Sequence, residues 1–162
     1  MSELHLRRKW TLRAHGRQAV FIKRPNEQTS HVLMKAFLWG LYLPVYPDLA
    51  IEISVGDRYK PDVVELSPEG KPVFWGEAGQ VAGEKIRSLA RRYRQTHFAI
   101  AKWATRIEPH QAIIQRALRG IQRAAPFDLL IFPEDSAERF IQERGEIRVT
   151  LDDLERVRLD VP

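Results

Sequence analysis

Residues 61–80, PDVVELSPEGKPVFWGEAGQ, decide the fold. Two short apolar runs, Asp62–Leu66 and Pro72–Glu77, flank Pro68-Glu69-Gly70, whose residues have turn chemistry, so the stretch reads as a β-hairpin. A two-residue turn at Glu69-Gly70 sets Pro68 against Lys71. The same register then sets Asp62 opposite Glu77 on one face, with Cα atoms about 4.5–5.5 Å apart. Like charges directly opposite one another are destabilising. A divalent cation relieves the conflict, because Mg²⁺ and similar hard ions take carboxylate and water oxygens. A raised pKa on one carboxyl group relieves it too. Solvated charge at the strand ends is the third reading.

Outward from the hairpin, Leu49–Val55 supplies a further strand-like run, joined through a turn at Gly56-Asp57. The face that Glu52 takes depends on the length of that turn. Upstream, Pro25-Asn26-Glu27 reads as a helix start with Asn26 as cap. Val32, Leu33, Ala36, Phe37 and Gly40 follow at helical spacing and stop before Pro44. Residues 4–13 and 17–24 flank Ala14-His15-Gly16 as a basic β-hairpin. Downstream, a helix over residues 83–95 places Ile86, Leu89, Ala90 and Tyr93 on one face. A strand at 97–103, a helix at 109–123 and a strand at 127–132 follow. A helix from Asp135 or Ser136 to Gly145, a strand from Ile147, and the alternation Val157, Leu159, Val161 complete the chain. The prediction is one α/β domain over residues 1–162: a basic hairpin (1–24), a mixed-sheet core (25–132) and an acidic C-terminal extension (133–162).

Proline–aspartate on one strand and glutamate at the end of the next is the PD-(D/E)xK nuclease pattern, with Gly79 where the usual lysine stands. Within that superfamily the chain resembles the YaeQ family. The resemblance rests on Pro25-Asn26-Glu27 opening a helix with Trp39, then Pro61-Asp62, Trp75, Glu77-Ala78-Gly79-Gln80 and the basic helix start Glu84-Lys85-Ile86-Arg87. It implies a restriction-endonuclease-like αβββαβ core and nucleic-acid phosphodiesters as substrate. It also implies Mg²⁺ or Mn²⁺ held by Asp62 and Glu77, with Glu27 as a third carboxylate. Lys85, or Arg87 in its place, would substitute for the missing lysine and offset charge in the transition state. Gln80 would bind a metal water or cap the helix.

The rest of the sequence bears on partners. The chain has 162 residues and a net charge of +5, with 44% hydrophobic and 29% charged residues, a globular composition. Cysteine is absent, which excludes thiol catalysis and disulfide scaffolds. The longest apolar stretch, residues 36–46, is far short of the ~20 residues a membrane helix needs, and no signal sequence is evident, so a cytoplasmic protein is expected. Residues 1–133 hold 21 basic and 12 acidic side chains, and residues 134–162 hold 5 and 9. The positive charge gathers in the N-terminal hairpin and in Lys85, Arg87, Arg91, Arg92 and Arg94. Guanidinium forks match phosphate geometry, so nucleic acid is the expected partner. A solvated basic face is the alternative. Trp10 is placed to pack or to stack on a base, and Glu27 and His31 stand one helical turn apart. Three functions stay open: a metal-dependent nuclease, a nuclease fold that binds nucleic acid without cutting it, and a protein-interaction module.

Overall fold

Alternation along Lys9–Ala14 (β1) buries Trp10, Leu12 and Ala14, and the strand pairs antiparallel with Arg17–Ile22 (β2). The loop between them is His15-Gly16, with φ of 51° and 75°, the left-handed pair that a type I′ turn requires. Trp10 is 1% exposed, so it packs in the core and offers no face to a base. The computed structural model describes residues 6–160. Residues 4 and 5 of the expected hairpin and Val161 of the expected last strand lie outside that range.

The first long helix, Thr29–Tyr42 (α1), begins after the expected cap. Residues 24–27 form a turn instead: the Glu27 amide donates to the Arg24 carbonyl at 3.0 Å, and Glu27 Oε1 accepts from the Arg24 amide at 3.1 Å. Glu27 therefore precedes the helix. Next come Ala50–Ile51 (β3), Val63–Leu66 (β4), Pro72–Ala78 (β5), Gly83–Arg92 (α2), His97–Trp103 (β6), Glu108–Leu118 (α3), Phe127–Phe132 (β7), Ser136–Phe140 (α4) and Glu155–Leu159 (β8). Strands β3 to β8 form one six-stranded sheet in sequence order. The β5–β6 and β6–β7 pairs are parallel and the others antiparallel, so the domain is mixed α/β. Helix α1 and the β1–β2 hairpin pack in the apolar cluster on one face of the sheet, while α2 and α3 cover the other. Covered on both sides, β7 is buried at every position.

The central hairpin reaches the expected register by a different route. Its loop has three residues, with the Ser67 amide donating to the Lys71 carbonyl at 2.7 Å. Leu66 then faces Pro72, and an irregularity before Glu65 restores the pairs Glu65–Phe74, Val64–Trp75 and Val63–Gly76. A bulge has compensated for the longer loop.

Several elements are shorter than the sequence predicts, among them α2, which ends at Arg92. The β3 strand stops at Ile51 because Glu52 takes φ of 52°, which breaks the extended run; residues 53–61 form a loop. Helix α3 ends at Leu118, and α4 ends at Phe140, followed by a 3₁₀ turn at Glu143–Gly145. Gly145 has φ of 74°, and a Cβ there would meet the Thr11 carbonyl oxygen at 2.5 Å, so only glycine lets this turn lie against β1. The acidic C-terminal segment joins the sheet as its edge: β8 pairs with β7 from Phe127–Leu159 to Ile131–Glu155.

Candidate active site

The C-terminal end of β5 carries the residues the sequence singled out. Glu77 shares a face with Trp75, two residues earlier, and its Oε1 accepts from the Trp75 indole N–H at 2.9 Å. Lys85, on the first turn of α2, places Nζ 3.0 Å from the same oxygen. The Lys85 ammonium also lies 5.1 Å from the centroid of the Tyr59 ring, carried by the 53–61 loop. Burial pushes the Glu77 carboxyl above its ordinary pKa, and the negative charge of Asp62 adds to the push, against the opposing effects of Lys85 and the indole.

Asp62 sits where the β4–β5 ladder ends. Its amide donates to the Gly76 carbonyl at 3.1 Å, its Oδ2 accepts from the Ala78 amide at 2.8 Å, and His31 Nε2 lies 3.7 Å from that oxygen. Glu77 is thus held from the α2 side and Asp62 is tied to α1, yet the Asp62 charge reaches Glu77. Among the described residues, Asp62 Oδ1 and Glu77 Oε2 have no protein partner.

Glu27 is committed elsewhere. Its Oε2 lies 2.5 Å from His31 Nδ1 and 2.6 Å from Lys35 Nζ, while Oε1 takes the Arg24 amide. Lys35 is 2% exposed and spans to Glu52 Oε1 at 2.7 Å. Glu52 donates its amide to the Asp62 carbonyl, which puts it beside Asp62 despite the missing turn. Burial of Glu27 opposes its charge, but Lys35, the Arg24 amide and His31 outweigh it and hold the carboxyl below its ordinary pKa. The Asp62 carboxylate raises the His31 pKa against burial, with help from Glu27. The result is a ring of Glu27, Glu52 and Asp62 answered by Lys35 and His31. It lines a cavity of about 770 Å³ with Arg24, Gln80 and the edge of Gly79.

That geometry tests the expected metal set. Among the described residues no group of three or more His, Cys, Asp or Glu side chains is disposed to hold a metal ion. Glu27 does not fit as a ligand, since Lys35 and His31 occupy the place a cation would take. Asp62 and Glu77 each keep an oxygen without a partner among the described residues, the kind of donor that Mg²⁺ takes together with waters.

Position 79 takes the lysine of the nuclease pattern only with strain. Gly79 has φ of 87°, and a Cβ there would meet His31 Cδ2 at 3.2 Å. Its carbonyl accepts instead from Lys102 Nζ at 2.6 Å, a lysine on the neighbouring strand β6 that sequence reasoning missed. Burial lowers the Lys102 pKa. The available signal was a lone lysine at the end of the apolar run His97–Trp103. Lys35, also missed, interrupts the apolar helix 32–43 at one turn from His31 and two from Glu27. Gln80 does not cap α2, whose start at Ala82 has no side-chain cap.

The basic helix divides into two groups. Arg87 donates to the Ala117 and Arg119 carbonyls at 3.1 and 2.9 Å, which ties α2 to the end of α3 and keeps Arg87 away from Glu77. Arg92 is ion-paired with Asp57, which also accepts from Tyr93 at 2.5 Å. Arg94 donates to the Arg91 and Gln122 carbonyls at 3.2 and 3.4 Å. Arg91 is exposed and has no side-chain partner among the described residues. All four arginines line one shallow groove with Glu84 and Ser88.

The fold and the site define a mixed α/β domain with a carboxylate pair and a lysine at the end of its central strand. Two crystal structures share this fold: the YaeQ protein from Pseudomonas syringae and the YaeQ protein from Xanthomonas axonopodis pv. citri. The first aligns over 88% of this chain and 80% of its own at 14% identity, with a TM-score of 0.62. The second aligns over 96% and 98%, again at 14% identity and 0.62. This chain has the fold of the YaeQ proteins. No protein-family model and no curated protein matches the chain. Among the described residues no helix is long and apolar enough to cross a membrane.

Proposed function

We propose that the protein is a metal-dependent nuclease of the restriction-endonuclease-like type that hydrolyses nucleic-acid phosphodiesters at the end of β5. One observation carries the reading. Glu77 is buried with its pKa raised by burial and by the Asp62 charge, and Lys85 stands 3.0 Å away. Burial and the Asp62 charge still outweigh Lys85 at Glu77, and a divalent cation would supply the further positive charge. The order helix, antiparallel meander, helix and parallel strand supports the nuclease core, as does the PD…ExG spacing.

The chain's own residues have separate tasks. Asp62 and Glu77 would hold Mg²⁺ or Mn²⁺, which polarises a phosphoryl oxygen and lowers the pKa of a bound water. Lys85 favours the ionised form of Glu77 against burial and would place a positive charge beside the reacting phosphate. Trp75 fixes the Glu77 rotamer through its indole N–H. Arg91 and its neighbours on α2 draw in the phosphate backbone by charge alone.

The test is cleavage of a mixed panel of DNA and RNA with Mg²⁺ or Mn²⁺, comparing wild type with Glu77→Gln. Metal-dependent cleavage that falls at least a hundredfold in the variant is expected. An intact panel with either metal overturns the proposal. A second reading, a nuclease fold that binds nucleic acid without cutting it, is favoured by the Lys35 clamp on Glu27 and Glu52. It predicts salt-sensitive binding that Glu77→Gln leaves intact, with no cleavage.

A further inference from the structure

A second cavity, of about 710 Å³, adjoins the acidic one through shared walls at Gln28, Ser30, Met34, Gly79 and Gln80. Its chemistry is opposite. No aspartate or glutamate lines it, and its ionisable residues are Lys102 and His110. Lys102 lies half-buried, and no carboxylate approaches it within ion-pair distance among the described residues. Its one bond, to the Gly79 carbonyl at 2.6 Å, uses one of three ammonium donors. A lysine withdrawn from water is ordinarily paired, because desolvating an unpaired charge is costly. Burial holds the pKa of Lys102 low, and burial with the Lys102 charge does the same to His110. The Lys102 shift records its burial alone, and only that of His110 includes a neighbouring positive charge. The first residues of α2, Ala82 and Gly83, form part of the same wall, and Gln80 and Ser30 add neutral hydrogen-bonding groups.

We infer that this cavity is a phosphate subsite, in which Lys102 and His110 bind a phosphate group of a nucleic-acid strand whose neighbouring linkage lies at Asp62. The inference rests on nucleic acid being the ligand, as proposed above, and adds the place where the strand is gripped. The continuity of the two cavities sets the strand's path, from the basic lobe past Gly79 to Asp62 in the acidic one. Lys102 sits on the strand next to β5, where Ala78 pairs with Ala101. A lysine at position 79 would be strained, and Lys102 brings an ammonium group to the carbonyl of that residue.

The test measures binding of the full chain to a fluorescent single-stranded oligonucleotide in EDTA, across a range of salt, so that hydrolysis plays no part. Lys102→Met is expected to weaken binding about tenfold, as for one charge-assisted hydrogen bond. It should also reduce the slope of log affinity against log salt by about 0.7, one phosphate contact on a single strand. Lys102→Arg should keep the slope. His110→Ala, which leaves the Lys102–Gly79 bond in place, should weaken binding severalfold and serves if Lys102→Met melts below the assay temperature. Inorganic phosphate should displace the oligonucleotide from wild type at lower concentration than from Lys102→Met. Displacement by phosphate without any effect of either substitution on oligonucleotide binding means that the pocket takes the free anion only, and overturns the inference. Unchanged affinity and slope in Lys102→Met and His110→Ala overturn it as well. Cleavage with Mg²⁺ alongside an unchanged slope rejects the subsite and keeps the nuclease. A reduced slope without cleavage under any metal keeps the subsite and rejects hydrolysis.

Discussion

Lys35 is a buried cation in an apolar helix, and its burial opposes its charge while Glu27 and Glu52 restore it, so its pKa ends above the ordinary value. Removing that charge strands two carboxylates at 9% and 27% side-chain exposure. Lys35→Met is therefore expected to cost about 3–5 kcal/mol, the usual result of breaking a buried pair from one side. Urea unfolding reads it; a loss under 1 kcal/mol would mean that the two glutamates are not ionised in the fold. Glu77 behaves in the opposite sense. Its folded pKa lies above the unfolded value near 4.3, so folding binds a proton there and stability declines as pH rises between the two values. Glu77→Gln keeps an acceptor for the Trp75 indole and removes the desolvated charge, so it should leave the protein as stable at pH 7 or raise its melting temperature. A marked fall in melting temperature would show that the Lys85 pair outweighs the burial, and that stability had not been given up for the site.

At the scale of elements, the 53–61 loop borders the Glu77 site through Tyr59, whose ring lies 5.1 Å from the Lys85 ammonium. Val55 and Tyr59 pack on the cluster beneath α2, and Asp57 anchors the loop to Arg92 and Tyr93. The Arg92 hydrogen bonds, with further ones from Tyr93 and the Tyr59 amide, hold the Asp57 carboxyl well below the usual range. Asp57→Asn removes the ion pair and should speed amide exchange across residues 53–61, leaving β5 to β7 protected. Equal exchange in the variant would mean that Val55 and Tyr59 hold the loop unaided. This loop also marks the boundary of what the sequence discloses. The β1–β2 hairpin, the buried face of α2 and the register beside Glu77 follow from alternation, helical spacing and turn residues, all local signals. The left-handed Glu52 does not, because a Glu-Ile-Ser run has strand character and the contact with Lys35 comes from a distant helix. Lys102 escapes for the same reason. Its relation to Gly79 arises from parallel β5–β6 pairing across α2, which no short window contains. Glu77, Asp62 and Lys85 were legible as neighbours because a family resemblance joins them; the clamp on Glu27 was not, because Lys35 lies outside that resemblance.

For the molecule as a whole, the acidic C-terminal segment is a structural member of the sheet, and one buried carboxylate fixes it there. Asp128 on β7 accepts from Tyr42 on α1 at 2.7 Å, lies 2.7 Å from His97 Nε2 on β6, and takes Arg158 on β8 at 2.8 and 3.1 Å. His97 in turn meets the Tyr46 hydroxyl at 2.9 Å through Nδ1. A helix and three strands thus converge on a side chain that is 2% exposed. Burial raises the Asp128 pKa, but its partners outweigh that and leave it far below the ordinary carboxylate range. A carboxyl group depressed in this way contributes stability that is complete above the unfolded pKa near 3.9 and is lost as pH falls toward the folded value. Wild type should therefore lose urea resistance steeply below about pH 4. Asp128→Asn should lose about 3 kcal/mol at pH 7, since Arg158 and His97 forfeit their counter-charge. It should also show a flatter fall in stability between pH 5 and pH 3, because the titrating group is gone. If the variant keeps the wild-type acid slope, the carboxylates of the Glu27–Glu52–Asp62 ring carry the acid sensitivity, and Arg158→Gln should then leave that slope unchanged too. If only the Asp128 substitution flattens it, the attachment of β8 is what acid releases first, and amide exchange in residues 155–159 should rise before that of β5.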